Sequence, residues 1–185
     1  MKFLIDTSSL VAMVRYYIPF EESDSLKNLI KGKIQSGDMV LLDKVADEAG
    51  LVSKKIVVKT LDFMSDKKLQ TKTNSLLPYP KFFNMLDNEF ANHIQKSKLN
   101  EVEFEKAKNE YLETADAKFL LYLLEEKNKL GIDDTVLVTE ETSSDNDNKP
   151  FKKLPLICSN KEIPYCSLVI LFQEHFKMKL SDYVV

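Results

Sequence analysis

The sequence predicts an α/β protein, a short central parallel sheet covered by helices, with a helical insertion in the middle of the chain. Three observations carry this. Short continuous apolar runs, the pattern of strands buried on both faces, stand at Phe3–Ile5, at Met39–Leu42 and after Thr135 as far as Val138. Segments of helical period separate them, in the order strand, helix, helix, strand, helix that favours parallel pairing. Between Lys54 and about Glu110 the chain is lysine-rich and helical in period, with no convincing strand.

The first strand, Phe3–Ile5, ends on Asp6, and apolar periodicity resumes at Leu10, Val11, Met13 and Val14. Ser8 or Ser9 is suited to cap that helix, since a hydroxyl there accepts from unpaired backbone N–H groups. The helix stops before Pro19. Glu21 and Glu22 open a second helix with Leu26, Leu29, Ile30 and Ile34 on its apolar face, ending near Gly37. After the strand Met39–Leu42, Asp43 caps a helix carrying Val45, Ala46, Ala49, Leu51 and Val52. Within the insertion, taken as 54–110, Pro78 and Pro80 mark a break. Phe82, Phe83, Leu86, Phe90 and Ile94 then form a helical stripe, able to pack on the core or on a second copy of the chain. Glu101 to Lys127 reads as one continuous helix closed by Gly131. Asp133 and Asp134 lead into the strand Thr135–Val138, and Ser143–Lys149 is a polar loop. Pro155 starts a short helix through Cys158, Ile163–Tyr165 is a fourth strand, and Ser167 caps a last helix.

A chain of 185 residues suggests one domain, 1–185, long enough to bury most of the surface that its unfolded form exposes. Apolar and charged fractions of 44% and 30% are those of a soluble globular protein. The first apolar run is broken at once by Asp6, which argues against a signal peptide. No stretch approaches the roughly 20 apolar residues of a membrane span. Cys158 and Cys166 have neither zinc-site spacing nor a disulfide framework, so a cytoplasmic chain with reduced, buried thiols is expected. A formal charge of −3 gives no global field to draw in nucleic acid, which leaves only local patches for that task. Arg15 is the only arginine, so bidentate phosphate recognition would rest on it alone.

Two acids break the pattern of the helices that hold them. Asp116 has Leu112, Phe119 and Leu120 three and four residues away, and Glu48 has Val45, Leu51 and Val52. A carboxylate aimed at a core costs several kcal/mol unless it is paired, hydrogen-bonded or metal-bound. Asp6 and Glu141 follow strand ends, where ligands of open parallel sheets bind. The simpler reading makes Asp6 a helix-start acid satisfied by the helix dipole, and gives the others a lysine or a backbone amide. Four carboxylates gathered at one sheet edge would instead require a cation, and hard oxygen ligands without paired His or Cys point to Mg2+ or Mn2+. His93 and His175 sit in ordinary helices and read as structural or solvent-facing.

At these residues the sequence resembles the PIN-domain family, a small nuclease fold found in many toxin ribonucleases. The carriers are F-L-I-D-T-S-S-L at Phe3–Leu10, V-A-D-E-A at Val45–Ala49, A-D-A-K-F-L-L at Ala115–Leu121 and V-L-V-T-E-E at Val136–Glu141. The last is similar to a subgroup with Thr-Glu-Glu at the fourth motif, followed by a Pro…Cys segment, here Pro155 to Cys158. The resemblance covers roughly 1–52 and 110–180. It implies a three-layer PIN-like fold in which Asp6, Glu48, Asp116 and Glu141 hold Mg2+ or Mn2+ and catalyse, with Thr7 and Thr139 in support. Glu140 is an alternative to Glu141, because neighbouring residues leaving a strand point opposite ways.

The resemblance implies endoribonuclease cleavage by metal-activated water, leaving a 5′-phosphate and a 3′-hydroxyl, as in the toxin of a toxin–antitoxin pair. Lys54, Lys55 and Lys59 past Glu48, and Lys149, Lys152 and Lys153 past Glu141, are the candidate RNA contacts. RNA, an antitoxin protein docking near the first two helices and a second copy in a homodimer are the expected partners, with no membrane. The competing reading is a catalytically inactive PIN-like binding or scaffold protein. A metal-dependent phosphatase fits less well, because Ser8 stands where that chemistry usually places a second aspartate.

Overall fold

The computed structural model describes residues 1–21, 23–130, 135–143, 148–179 and 181. Glu22, Gly131, Asp133, Asp134 and residues 144–147 of the expected polar loop lie outside the described residues. In chain order the elements begin with strand β1 (Lys2–Ile5), helices α1 (Thr7–Tyr16) and α2 (Ser25–Gln35), strand β2 (Met39–Leu42) and helices α3 (Asp43–Ala49) and α4 (Ile56–Thr60). Then come strand β3 (Gln70–Thr71) and helices α5 (Pro80–Met85), α6 (His93–Lys96), α7 (Glu101–Leu112) and α8 (Ala115–Leu130). Strand β4 (Thr135–Val138), helix α9 (Leu154–Asn160), strand β5 (Tyr165–Cys166) and the short helix α10 (Leu168–Ile170) complete the chain.

The molecule divides into two compact units. The first comprises Met1–Thr73, Asp134–Glu140 and Pro164–Val185, and contains the whole sheet. Its strand order is β3-β2-β1-β4-β5 with every pairing parallel, an α/β architecture consistent with a three-layer PIN-like fold. β1, β2 and β4 are buried almost throughout, as their continuous apolar runs require. The order runs outward from β1 in both directions, so the topological switch falls between β1 and β4. Ligands of open α/β sheets bind outside the carboxyl ends of the strands at such a point.

The second unit comprises Asn74–Asp133 and Glu141–Ile163. Phe82, Phe90 and Phe119 are fully buried in it, and the rings of Phe82 and Phe90 meet edge to face at 6.0 Å. Two of the phenylalanines expected to serve a core or a second copy therefore pack inside this unit. Ile94, the last member of that stripe, is exposed instead, because the helix gives way to a π turn at Leu86–Phe90 and a new cap at Asn92. Residues 90–92 pair with 150–152: Asn92 N–H donates to Pro150 O and Lys152 N–H to Phe90 O, both at 2.8 Å. This ribbon presents Phe151 to the stacked ring of Tyr111, 4.3 Å away.

Several local expectations are corrected. Asp6, rather than Ser8 or Ser9, caps α1, and both serines lie inside the helix. The second helix begins at Ser25; Glu21 contributes by accepting from Leu26 N–H at 2.7 Å. Residues 54–110 do contain a strand, β3, too short and too polar to be read from Gln70–Thr71 alone. The expected single helix from Glu101 to Lys127 is two, because the Thr114 hydroxyl donates to Tyr111 O and accepts from Ala117 N–H, ending α7 and starting α8. The fourth predicted strand shifts to Tyr165–Cys166, since Pro164 has no N–H and only its carbonyl joins the ladder, accepting from Leu137.

Among the described residues no helix is long and apolar enough to cross a membrane. Both cysteines are free; Cys158 is buried and Cys166 half-buried. Burial, with Asp116 adding to it, pushes the Cys158 thiol up to about 12, and burial with Glu140 pushes Cys166 up to about 11. Both thiols are therefore held neutral in the fold while the unfolded chain ionises near 9. Stability from this source is complete below pH 9 and falls as pH rises toward 11 and 12. Thermal melts from pH 7 to 11 are expected to show that decline. At pH 7.5 a thiol reagent should label the denatured chain far faster than the native one; a flat stability profile with fast native labelling would contradict the assignment.

Candidate functional site

The register of the sheet brings the first group together. Ile5 pairs with Val138, and Asp6 N–H donates to Val138 O at 3.0 Å, so Asp6 and Thr139 leave the sheet side by side at the switch point. Asp6 is 5% and Thr139 4% exposed. One carboxylate oxygen of Asp6 accepts from Thr7 N–H at 2.6 Å, the N-cap bond of α1. The other accepts from the Ser8 hydroxyl at 2.6 Å and the Thr139 hydroxyl at 2.9 Å. Three donors around one buried carboxylate offset the cost of removing it from water.

Glu48 joins this group through Thr7, whose hydroxyl donates to Glu48 Oε2 at 3.1 Å. Glu48 stands in the last turn of α3. The stripe argument fails on one side, since α3 ends at Ala49 and Leu51 is 81% exposed. The positions of Glu140 and Glu141 also separate. Glu140 Oε1 accepts from Leu168 N–H at 2.7 Å, at the start of α10, and Glu140 N–H donates to Ser8 Oγ at 3.0 Å. The Glu140 charge adds to burial in raising the Tyr17 hydroxyl above its usual range. Sequence reasoning missed Ser8 as a link between the ends of β1 and β4. The available signal was a hydroxyl two residues after Asp6, placed to turn back on it.

In the second unit a cavity of about 320 Å3 is lined by Tyr111, Thr114, Asp116, Glu141 and the stretch Lys149–Lys153, with Ala107 and Glu110. Asp116 is half-buried in the first turn of α8, where a carboxylate complements the helix dipole. Its stripe neighbour Leu112 belongs to the preceding helix. The carboxylates of Asp116 and Glu141 thus share one cavity with three of the lysines predicted to meet RNA. Lys152 Nζ is already engaged, donating to Glu89 O at 2.8 Å. Lys54 and Lys55 lie exposed in the turn after α3, in the first unit. Among the described residues no group of three or more His, Cys, Asp or Glu side chains is arranged to hold a metal ion. His93 and His175 are exposed, and His175 rests against the Phe3 ring at 4.8 Å.

A family model described as "Domain of unknown function (DUF4411)" matches residues 3–179. The chain belongs to that family. The matched span includes Asp6, Glu48, Asp116 and Glu141, and in this DUF4411 chain it covers the sheet and both acidic groups. Comparisons with curated proteins and with solved structures give no match.

Proposed function

We propose that this DUF4411 chain is a metal-dependent endoribonuclease, hydrolysing RNA phosphodiester bonds with the aid of Mg2+ or Mn2+. The observation that carries the proposal is the buried carboxylate of Asp6 at the switch point of a parallel sheet, held by the Ser8 hydroxyl of α1 and the Thr139 hydroxyl that follows β4. The donor chemistry fits a hard divalent cation. Every acid concerned offers oxygen, and Mg2+ commonly takes only one or two carboxylates while keeping several waters. Asp116 and Glu141, lining one cavity, form a pair of that kind. Glu140 Oε1 accepts from Leu168 N–H in the first unit, whereas Glu141 lines the cavity with Asp116, so Glu141 is the better candidate for the fourth acid.

Asp6 and Glu48 in the first unit are one carboxylate pair assigned to metal, and Asp116 and Glu141 in the second unit are another. When bound, the cation supplies Lewis-acid charge that acidifies water and stabilises the leaving oxygen. Thr7, Ser8 and Thr139 fix the Asp6 carboxylate in one orientation, and Thr7 does the same for Glu48. Lys149 and Lys153 attract the substrate phosphate as point charges, a role open to lysine where arginine is absent. The test is incubation of single-stranded RNA with the purified chain in Mg2+, in Mn2+ and in chelator. Cleavage only with metal, leaving 5′-phosphate ends, is expected. Cleavage indifferent to chelator, or none with any divalent ion, would refute the proposal.

A further inference from the structure

Two exposed aromatic rings and three lysines share one end of the helical layer in the first unit. β1 and β2 are neighbouring parallel strands, and α1 and α3, which follow them, pack on each other. Both helices run back toward the amino ends of the strands, so the residues after them emerge at the same end of the layer. At the end of α1 stand Tyr16, 67% exposed, and Phe20, 60% exposed in the 3-10 turn Ile18–Phe20. After α3 come Lys54 and Lys55, then α4, which packs on α1 and carries Lys59. All three lysines are exposed, and none has an ion-pair partner among the described residues. Lys54 and Lys55 also hold a left-handed backbone, with φ of 56° and 64°. Glycine takes that conformation without the steric cost that a lysine meets there, so the fold keeps two ammonium groups where glycine would be less strained. Such strain gathers at functional sites. Among the described carboxylates of these segments, Glu21 and Glu48 are half-buried and hydrogen-bonded, Asp62 is paired with Lys27, and Asp24 and Asp47 stand exposed.

We infer that this end of the first unit is a platform for single-stranded RNA, with backbone phosphates on Lys54, Lys55 and Lys59 and bases laid on the rings of Tyr16 and Phe20. Cationic side chains beside exposed aromatic rings are the chemistry of single-strand binding, since every base has a face that stacks. In a duplex those faces are covered, so the rings select the unpaired strand. The choice of RNA rests on the ribonuclease reading. Tyr16 lies ten residues along the chain from Asp6, a rise of about 15 Å on α1. A bound strand of roughly 4–16 nucleotides is ample to reach from the platform to the Asp6 carboxylate. The platform thus grips the substrate away from the bond that is cut, and it needs no metal. Asp24 and Asp47 border it and oppose the strand.

The test is fluorescence anisotropy with the full chain, in chelator and over a range of salt, using a labelled single-stranded RNA of about 16 nucleotides and the matching duplex. The single strand should bind about tenfold or more tightly than the duplex. Lys54→Gln/Lys55→Gln should weaken it about tenfold and reduce the slope of log K on log salt by about 1.4, the loss of two phosphate contacts. Lys54→Gly/Lys55→Gly should weaken it equally while the melting temperature holds or rises, because glycine relieves the left-handed pair. Tyr16→Ala/Phe20→Ala should cost about tenfold or more with the salt slope unchanged. Asp47→Asn should tighten binding. Equal affinity for strand and duplex, no binding of either, or wild-type affinity in the lysine and aromatic variants would overturn the platform. So would an aromatic variant that sediments as monomer where the wild type is a dimer, with its RNA affinity intact, since the face would then belong to a second copy. Single-strand binding without metal-dependent cleavage would keep the platform and sink the nuclease. Cleavage with KM unmoved in these variants would do the reverse.

Discussion

Asp6→Asn is expected to remove RNA cleavage while leaving the protein folded. The amide keeps an acceptor oxygen for Thr7 N–H, and asparagine caps helices about as well as aspartate. Its NH2 would face the hydroxyls of Ser8 and Thr139, which can each turn a lone pair toward it. The stability cost is therefore small, about 1 kcal/mol. The loss of charge is not recoverable in the same way. Removing a partner that merely orients a metal ligand typically costs 10–100-fold, so losing the ligand itself should cost at least ~100-fold in turnover. RNA cleavage and urea unfolding measured on one preparation check both halves. A folded variant that cuts like the wild type would show that Asp6 only caps α1, and a variant that unfolds would make the acid structural.

Asp43→Ala should do the opposite, weakening the fold without a specific effect on cleavage. Asp43 follows β2 as Asp6 follows β1, and it also draws in a threonine from the end of a neighbouring strand. Its carboxylate accepts from Lys44 N–H at 2.8 Å, from the Thr73 hydroxyl at 2.6 Å and from Thr73 N–H at 3.1 Å. Thr73 is fully buried, so alanine at 43 strands a hydroxyl and an amide in the interior. Each unsatisfied group costs about 1–3 kcal/mol, and partial rehydration at the half-buried Asp43 brings the total to roughly 2–4 kcal/mol. β3 is two residues long and pairs only with β2, so this bond set is much of what holds the sheet edge. The urea midpoint should fall with little change in slope. Unchanged stability would show that water satisfies Thr73. The same device thus occurs twice in one sheet, and only the copy at the switch point is assigned chemistry.

That contrast shows how far the sequence could be read. β1, β2 and β4 were legible because a strand buried on both faces leaves a continuous apolar run, and Asp6 was legible because it ends one. β3 was not, since a two-residue edge strand has no periodicity to detect. The break between α7 and α8 was hidden because its signal is one capping hydroxyl, Thr114, rather than a proline or glycine. The same break moves Asp116 from a predicted core stripe to the first turn of a helix. Glu48 was singled out for a partly mistaken reason: its apolar neighbours were counted past the end of α3. Ser8, Tyr111 and the difference between Glu140 and Glu141 depend on strand register and on contacts distant in sequence, which spacing along the chain does not encode.

The most direct test of the central claim is a calorimetric titration of the purified chain with Mn2+, alongside Asp6→Asn and Asp116→Asn. Saturable binding to the wild type, with the site that each variant alters weakened at least ~10-fold, is the predicted result. No saturable binding, or binding that both variants retain unchanged, would mean that these carboxylates serve the fold and that the chain is not the metal-dependent nuclease proposed for it.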